Sequence, residues 1–260
     1  MPRPDLDPEI LEHGGRAFRL SALIETHVFA ASGKDLGRCH DIWAQRSGPR
    51  LGAFGPALRI HSLLVGRGAF GERLGYHYGD VKGPWLFKAF FKRLHRSAAV
   101  VGWDDIARIE KGAIRLRPRV ELGSLDEFDD EHADDGIFLG LRVLDSQIVD
   151  AQGKMCGEAD DLQLMLSRGN AAPYVSAVLT GPGALAHRIG GRPGLWIESV
   201  YKRMHPAHEP APASIPFDVV RDIGNHVQLS VPRSQLDISG FEDWVRDRII
   251  AKIPGATRER

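Results

Sequence analysis

Cysteine is scarce: there are two in 260 residues, Cys39 and Cys156. That excludes the disulfide framework on which small secreted domains depend. Long apolar runs are missing as well, and nothing approaches the roughly 20 residues that span a bilayer. The opening stretch MPRPDLDPEILEHGG is acidic and proline-bearing, without the apolar segment of a signal peptide. Net charge is absent, with 34 basic residues against 34 acidic ones, so any bias toward nucleic acid or membrane has to be local. The expectation is a cytoplasmic protein with no membrane span. What the chain does have is a hydrophobic share of 43% and a charged share of 26%, enough for one large packed domain or two ordinary ones.

The chain repeats itself. GRGAFGERLG (66–75) lies over GPGALAHRIG (181–190) with five identities in ten, and each copy follows a strand-like run, LRIHSLLV or YVSAVLT. Upstream, THVFAASGKDLGRCHDIWAQ aligns with SQIVDAQGKMCGEADDLQLM. In both, an apolar stretch meets a turn at Gly33-Lys34 or Gly153-Lys154, then a second run reaches Asp41 or Asp161. Downstream, GPWLFKAFFKRLH matches GLWIESVYKRMH through Trp85/Trp196 and Lys92-Arg93/Lys202-Arg203. GWDDIARIEKGAIRL and PFDVVRDIGNHVQL share Asp104/Asp218 and Ile109/Ile223. Each copy reads as strand, turn, two strands, a short helical turn, a helix and closing strands. Most of the drift in spacing comes from the longer loop RSGPRLGAFGPAL in the first half. Duplication is the simplest account.

GRGAFG also spells G-x-G-x-x-G, the fingerprint of a dinucleotide-binding turn. That motif needs a long crossover helix and an acidic residue about 20 positions on. Here Gly75 interrupts the helix early and GYHYGDVKGPW follows, while the second copy has Ala186 at the third glycine and Pro182 inside the motif. The glycines therefore read as framework that ends a strand and lets a short helix fold back on it, and no cofactor is expected.

With the repeat in view, VLDSQIVDAQGKMCGEADDLQL followed by YVSAVLTGPGALAHRIG resembles a PRC-barrel domain, a small β-barrel. Residues 141–163 carry its D-x-x-G-x-x-x-G-x-x-x-D pattern at Asp150, Gly153, Gly157 and Asp161; the first copy keeps Gly33, Gly37 and Asp41 but has Ala30 in place of Asp150. The resemblance implies a barrel used as an adaptor or docking module, without shared catalytic residues. It is found in membrane-complex subunits and in a ribosome-maturation factor.

Catalytic constellations do not stand out: H-E-x-x-H, C-x-x-C and G-x-S-x-G are all missing. Cys39-His40 would point to opposite faces of a strand, so both cysteines read as structural thiols. His205 and His208 of HPAHEP read as part of a proline-rich connector, and no metal site is expected. Asp104 and Asp218 are expected to cap or anchor the turn into the closing strand. Seven carboxylates in LGSLDEFDDEHADDG (122–136) read as a solvated spacer, with a divalent-cation site as the alternative.

Two helices recur as interaction candidates. In LFKAFFKRLHR an apolar stripe at Phe87, Phe90, Phe91 and Leu94 leaves Lys88, Lys92, Arg93 and Arg96 toward solvent, and the second copy sets Lys202 and Arg203 beside Ile197, Val200, Tyr201 and Met204. In ISGFEDWVRDRIIAKIPG, Phe241, Trp244 and Ile249 belong to the stripe of a C-terminal helix that needs a surface to cover. The expected architecture is mainly β with short helices: an extension over 1–17, PRC-barrel-like domains over 18–119 and 138–232, an acidic linker at 120–137, and the C-terminal helix and tail over 233–260. The expected function is a non-enzymatic scaffold that docks a protein or ribonucleoprotein partner. The alternatives are RNA or ribosome binding through the basic helix faces, pairing with another copy, or a cation-responsive module.

Overall fold

The computed structural model describes residues 3–66, 98–124, 136–181 and 213–236. The protein is mainly β, with a few short helical turns. In the first half the strands are β1 (Asp5–Leu6), β2 (Ala17–Arg19), β3 (His27–Phe29), β4 (Asp35–Leu51), β5 (Gly55–Gly66), β6 (Ala99–Gly102), β7 (Ile106–Glu110), β8 (Ala113–Leu116) and β9 (Gly123–Ser124). The second half supplies β10 (Gly136–Phe138), β11 (Gln147–Val149), β12 (Met155–Glu158), β13 (Asp161–Met165), β14 (Tyr174–Thr180), β15 (Ala213–Pro216), β16 (Val220–Ile223) and β17 (Val227–Leu229). Among the described residues one short helix, α1, spans Leu139–Arg142. Two compact units emerge. Unit 1 takes its described residues from 1–50, 55–142 and 163–175, and unit 2 from 51–54, 143–162 and 176 onward.

The same ladder is built in each unit. In unit 1, β3 runs antiparallel to β4 and parallel to β8, which returns antiparallel to β7. In unit 2, β11 runs antiparallel to β12 and parallel to β17, which returns antiparallel to β16. The first ladder breaks register after Val28↔Gly37 and the second after Ile148↔Gly157. Gly37 and Gly157 sit at those bulges with φ of 117° and 123°, a conformation open in practice to glycine alone. The turns before them also coincide. The Ala30 N–H donates to the Lys34 carbonyl at 2.9 Å, and the Asp150 N–H donates to the Lys154 carbonyl at 2.9 Å. Even the left-handed residues match, Glu25 at φ 62° and Asp145 at φ 60°. Their N–H groups donate to Cys39 O at 2.7 Å and Ala159 O at 2.8 Å. Cys39 thus stands where the second half has Ala159; the two cysteines are not counterparts.

Apolar side chains at matching positions fill each interior. Val28, Ile42, Ile106 and Ile114 are fully buried in unit 1; Ile148, Leu162, Val220 and Val227 are fully buried in unit 2. Strand alternation explains the selection, because residues two apart share a face and only one face of these short closing strands meets the core.

The opening strand of each half, however, lies on a long strand of the other. Within unit 1, β2 pairs β13 with Phe18 opposite Leu164, and β10 pairs β4 with Ile137 opposite Ala44. Sequence alignment of the halves shows that they correspond but not which half a strand joins, since strand pairing is a long-range contact with no local signature.

Candidate functional site

Asp41 sits in the middle of β4, where a carboxylate is out of place by propensity, and it is 8% exposed. Three backbone donors account for it. Oδ1 accepts the N–H of Ile42 at 2.6 Å and of Gly140 at 2.6 Å, and Oδ2 accepts the Leu141 N–H at 2.9 Å. The last two are orphan donors of the first turn of α1, so Asp41 closes that helix from a strand 99 residues away in sequence. Asp161, its counterpart, is fully buried and accepts the Leu162 N–H at 2.8 Å through Oδ1.

Asp150 does the corresponding work in a turn. Oδ1 accepts from the Gln152 N–H at 2.9 Å and the Lys154 N–H at 2.8 Å, while Oδ2 accepts from the Arg233 N–H at 3.1 Å. One carboxylate therefore shapes the β11–β12 turn and holds the 3₁₀ turn Arg233–Gln235 against it. Burial by itself pushes this carboxyl up, but the N–H groups of Arg233, Lys154 and Gln152, with the Lys154 charge, outweigh that and hold it below the ordinary range. Beside it, burial and the Asp150 charge push the Cys156 thiol up to about 11, which keeps it protonated and poorly nucleophilic at neutral pH.

The residue before each β4 or β13 aspartate holds the glycine that ends the next long strand. His40 shares a hydrogen bond of 2.9 Å between Nε2 and the Gly66 carbonyl. Asp160, 1% exposed, accepts the Gly181 N–H at 2.8 Å. Different chemistry thus secures the same place. Gly66 and Gly181 open the two glycine-rich motifs, and here they terminate strands. The Asp160-Asp161 doublet is the signal in the sequence for this second buried carboxylate.

The halves part company at one matched pair of positions. On β4 and β10, Trp43 meets Phe138 edge to face at 4.9 Å, and Leu64 joins them. On β13 and β2 the corresponding residues are Gln163 and Arg19. Arg19 Nε donates to Glu12 Oε1 at 2.7 Å, and Gln163 Nε2 lies 3.2 Å from His13 Nδ1. None of these polar residues is legible as a group in the sequence, because β2 and β13 are far apart in the chain.

On the surface of unit 1, several cations are matched by carboxylates. Arg108 lies 3.1 Å from Glu110 and 3.6 Å from Asp5; Arg115 lies 3.1 Å from Glu110, and Arg38 lies 3.5 Å from Glu25. His27 stacks on Phe29 and the Arg115 guanidinium lies 5.7 Å from the centroid of the same ring. Asp104 and Asp218 provide no cap. Their 3₁₀ turns open at Gly102 and Pro216 without a side-chain bond, and both aspartates are exposed. The long loop in the first half has a purpose. Its 3₁₀ turn Gly52–Phe54 packs on Phe217–Val219 and on β16, Phe54 meeting the Phe217 ring edge-on at 4.9 Å. A Cβ on Gly52 would fall on the Asp218 carbonyl.

The two units also differ at a sheet edge. In unit 1 the outer side of β7 carries β1 in parallel, with Asp5 opposite Arg108 and Leu6 opposite Ile109. In unit 2 the order is β12-β11-β17-β16, and among the described residues no strand flanks β16 on its outer side.

The residues singled out for partner binding, Lys88, Lys92, Arg93, Arg96, Lys202, Arg203, Phe241, Trp244 and Ile249, lie outside the described residues, as do His205, His208 and the carboxylates of 126–135. Among the described residues no cluster of histidine, cysteine and carboxylate side chains has metal-binding geometry, and no helix is long and apolar enough to cross a membrane. No protein-family profile and no curated protein matches this chain.

Proposed function

We propose that this chain is a non-enzymatic scaffold, two PRC-barrel-like domains and a C-terminal helix, that docks a protein partner in the cytoplasm. The observation that carries this reading is where the reactive groups go. The carboxylates of Asp41, Asp150, Asp160 and Asp161 are buried and accept backbone N–H groups. A carboxylate that closes a helix or shapes a turn is committed to the fold, because moving its proton or charge would dismantle what it holds. Cys156 is held as the thiol, and Cys39 is sealed in the core. What such a molecule presents to the outside is shape, paired surface charge and strand edges, which suit recognition better than bond-making.

The test is in-cell crosslinking of the tagged full chain, followed by reconstitution of the complex from purified components. A partner that binds in fixed stoichiometry and whose crosslinks cluster on one surface supports docking. Turnover of a small-molecule substrate by the purified chain, or failure of every candidate to reconstitute, overturns it.

A further inference from the structure

This inference rests on the docking reading and names the chemistry of the partner. We propose that the surface of unit 1 built on Arg59 and the loop 166–173 takes an acidic segment of a protein partner, a run of aspartate or glutamate carboxylates. Its centre is a guanidinium that the fold fixes in place. Arg59 Nε donates to the Ser47 carbonyl at 3.3 Å, and Nη1 donates to Ser167 Oγ at 2.8 Å and to the Ala172 carbonyl at 2.6 Å. All three acceptors are uncharged, whereas Arg19, Arg38, Arg108 and Arg115 each face a carboxylate. These bonds orient the charge of Arg59 without neutralising it.

Two more cations stand beside it. Arg168 directly follows Ser167, and the Leu166 N–H donates to the Arg16 carbonyl at 2.8 Å. Both arginines are exposed, while Arg59 is half-buried. The loop that carries Arg168 is braced. Ser167 Oγ donates to the Ala172 carbonyl at 2.6 Å, and the Ile60 N–H donates to the Pro173 carbonyl at 2.9 Å. Like charges grouped on a braced surface repel one another, and the cost of ordering them is met when the chain folds. A segment of carboxylates therefore gains attraction without having to organise the site. Geometry agrees, because the planar guanidinium fork matches the two oxygens of a carboxylate. Single-stranded nucleic acid also brings negative charge, but stacking its bases takes exposed aromatic rings. The exposed residues of this loop are Arg168, Gly169, Asn170 and Ala171, and Tyr174, opposite Arg59, is half-buried.

Two peptides test this against the full chain labelled with ¹⁵N: one alternating glutamate with serine, and the same peptide with glutamine in place of glutamate. The glutamate peptide is expected to shift the Arg59 Nε–H signal and the backbone amides of Arg168 and Gly169, and to lose affinity as salt screens the charges. The glutamine peptide should leave these signals unmoved. Reversing both exposed charges, Arg16→Glu with Arg168→Glu, leaves the three bonds of Arg59 in place. It is expected to weaken binding of the glutamate peptide about tenfold, since two exposed attractions become repulsions. No response at Arg59 and the loop, equal binding of the two peptides, or undiminished binding by the double variant overturns the proposal. So does an oligouridylate that displaces the glutamate peptide at lower concentration, since the surface then takes phosphate. A cellular partner that binds the double variant as well as the unmodified chain removes this surface but leaves docking standing; charge-selective peptide binding without any reconstitutable partner does the reverse.

Discussion

The carboxylate of Asp41 offers the sharpest test of how this fold is held. Replacing it with alanine leaves the Gly140 and Leu141 N–H groups at the start of α1 without the acceptor they now have at 2.6 and 2.9 Å. Hydrogen bonds to a charged group contribute about 1.5–3 kcal/mol each, more than the roughly 0.5–2 kcal/mol of an ordinary exposed cap. Asp41→Ala is therefore expected to cost about 4 kcal/mol, which in a protein of this size lowers the melting temperature by roughly 10 °C. Asp41→Asn keeps the shape but turns an NH₂ toward one of the two donors, and should lose about half as much. Gly140 sharpens the test. A Cβ there would stand 2.8 Å from Asp41 Oδ1 and 3.0 Å from Oδ2. In the native background Gly140→Ala thus crowds the carboxylate and is expected to destabilise, despite the gain of about 1 kcal/mol that alanine brings to a helix. In the Asp41→Ala background the obstruction is gone, so the same change should stabilise. Urea denaturation at constant m-value gives all four corners of the cycle. Additive effects, with Gly140→Ala carrying the same sign in both backgrounds, would show that the carboxylate does not close the helix.

Three further outcomes are expected. Asp150 has a folded-state pKa below its ordinary 3.8, so its contribution is fully present above that value and is lost as pH falls below it, through the depressed folded-state pKa. Asp150→Asn should be less stable than the native chain at pH 7, with the two urea midpoints converging below about pH 4; parallel curves would refute the assignment. Cys156, at about 11, should be alkylated by iodoacetamide at pH 8 at least a hundredfold more slowly in the native state than in urea, since only about one thiol in a thousand is ionised; comparable rates would contradict it. The indole N–H of buried Trp103 has no acceptor among the described residues, and its counterpart in the second half is Phe217. Trp103→Phe removes an unsatisfied donor while leaving a small void, two effects of about 1–3 kcal/mol that oppose each other. A stability change within about 1 kcal/mol is expected, and a loss of several would mean that the indole N–H is bonded.

The repetition was readable because backbone-bending positions constrain residue type. Gly33 and Gly153 turn a hairpin, Gly37 and Gly157 occupy bulges with positive φ, and substitutes at such places are strained. The aspartates were also visible as a pattern, though not in their tasks. Asp41 binds donors 99 and 100 residues away, and no local spacing encodes that distance. The expected caps at Asp104 and Asp218 failed for a related reason. A carboxylate ahead of a closing strand looks like a cap, but the turn actually starts one residue earlier, at Trp103 or Phe217, which leaves the aspartate inside it.

By itself the sequence determined the β-rich class, the two corresponding halves and the positions where glycine had to stand, since periodicity and backbone permissiveness are local properties of the chain. Only the tertiary structure decided that each half lends its first strand to a long strand of the other, that the loop around Phe54 covers Phe217, and that β7 is flanked by β1 while no strand among the described residues flanks β16. Those pairings join segments far apart in the chain, Trp43 with Phe138 and Gln163 with Arg19, and no local pattern encodes them.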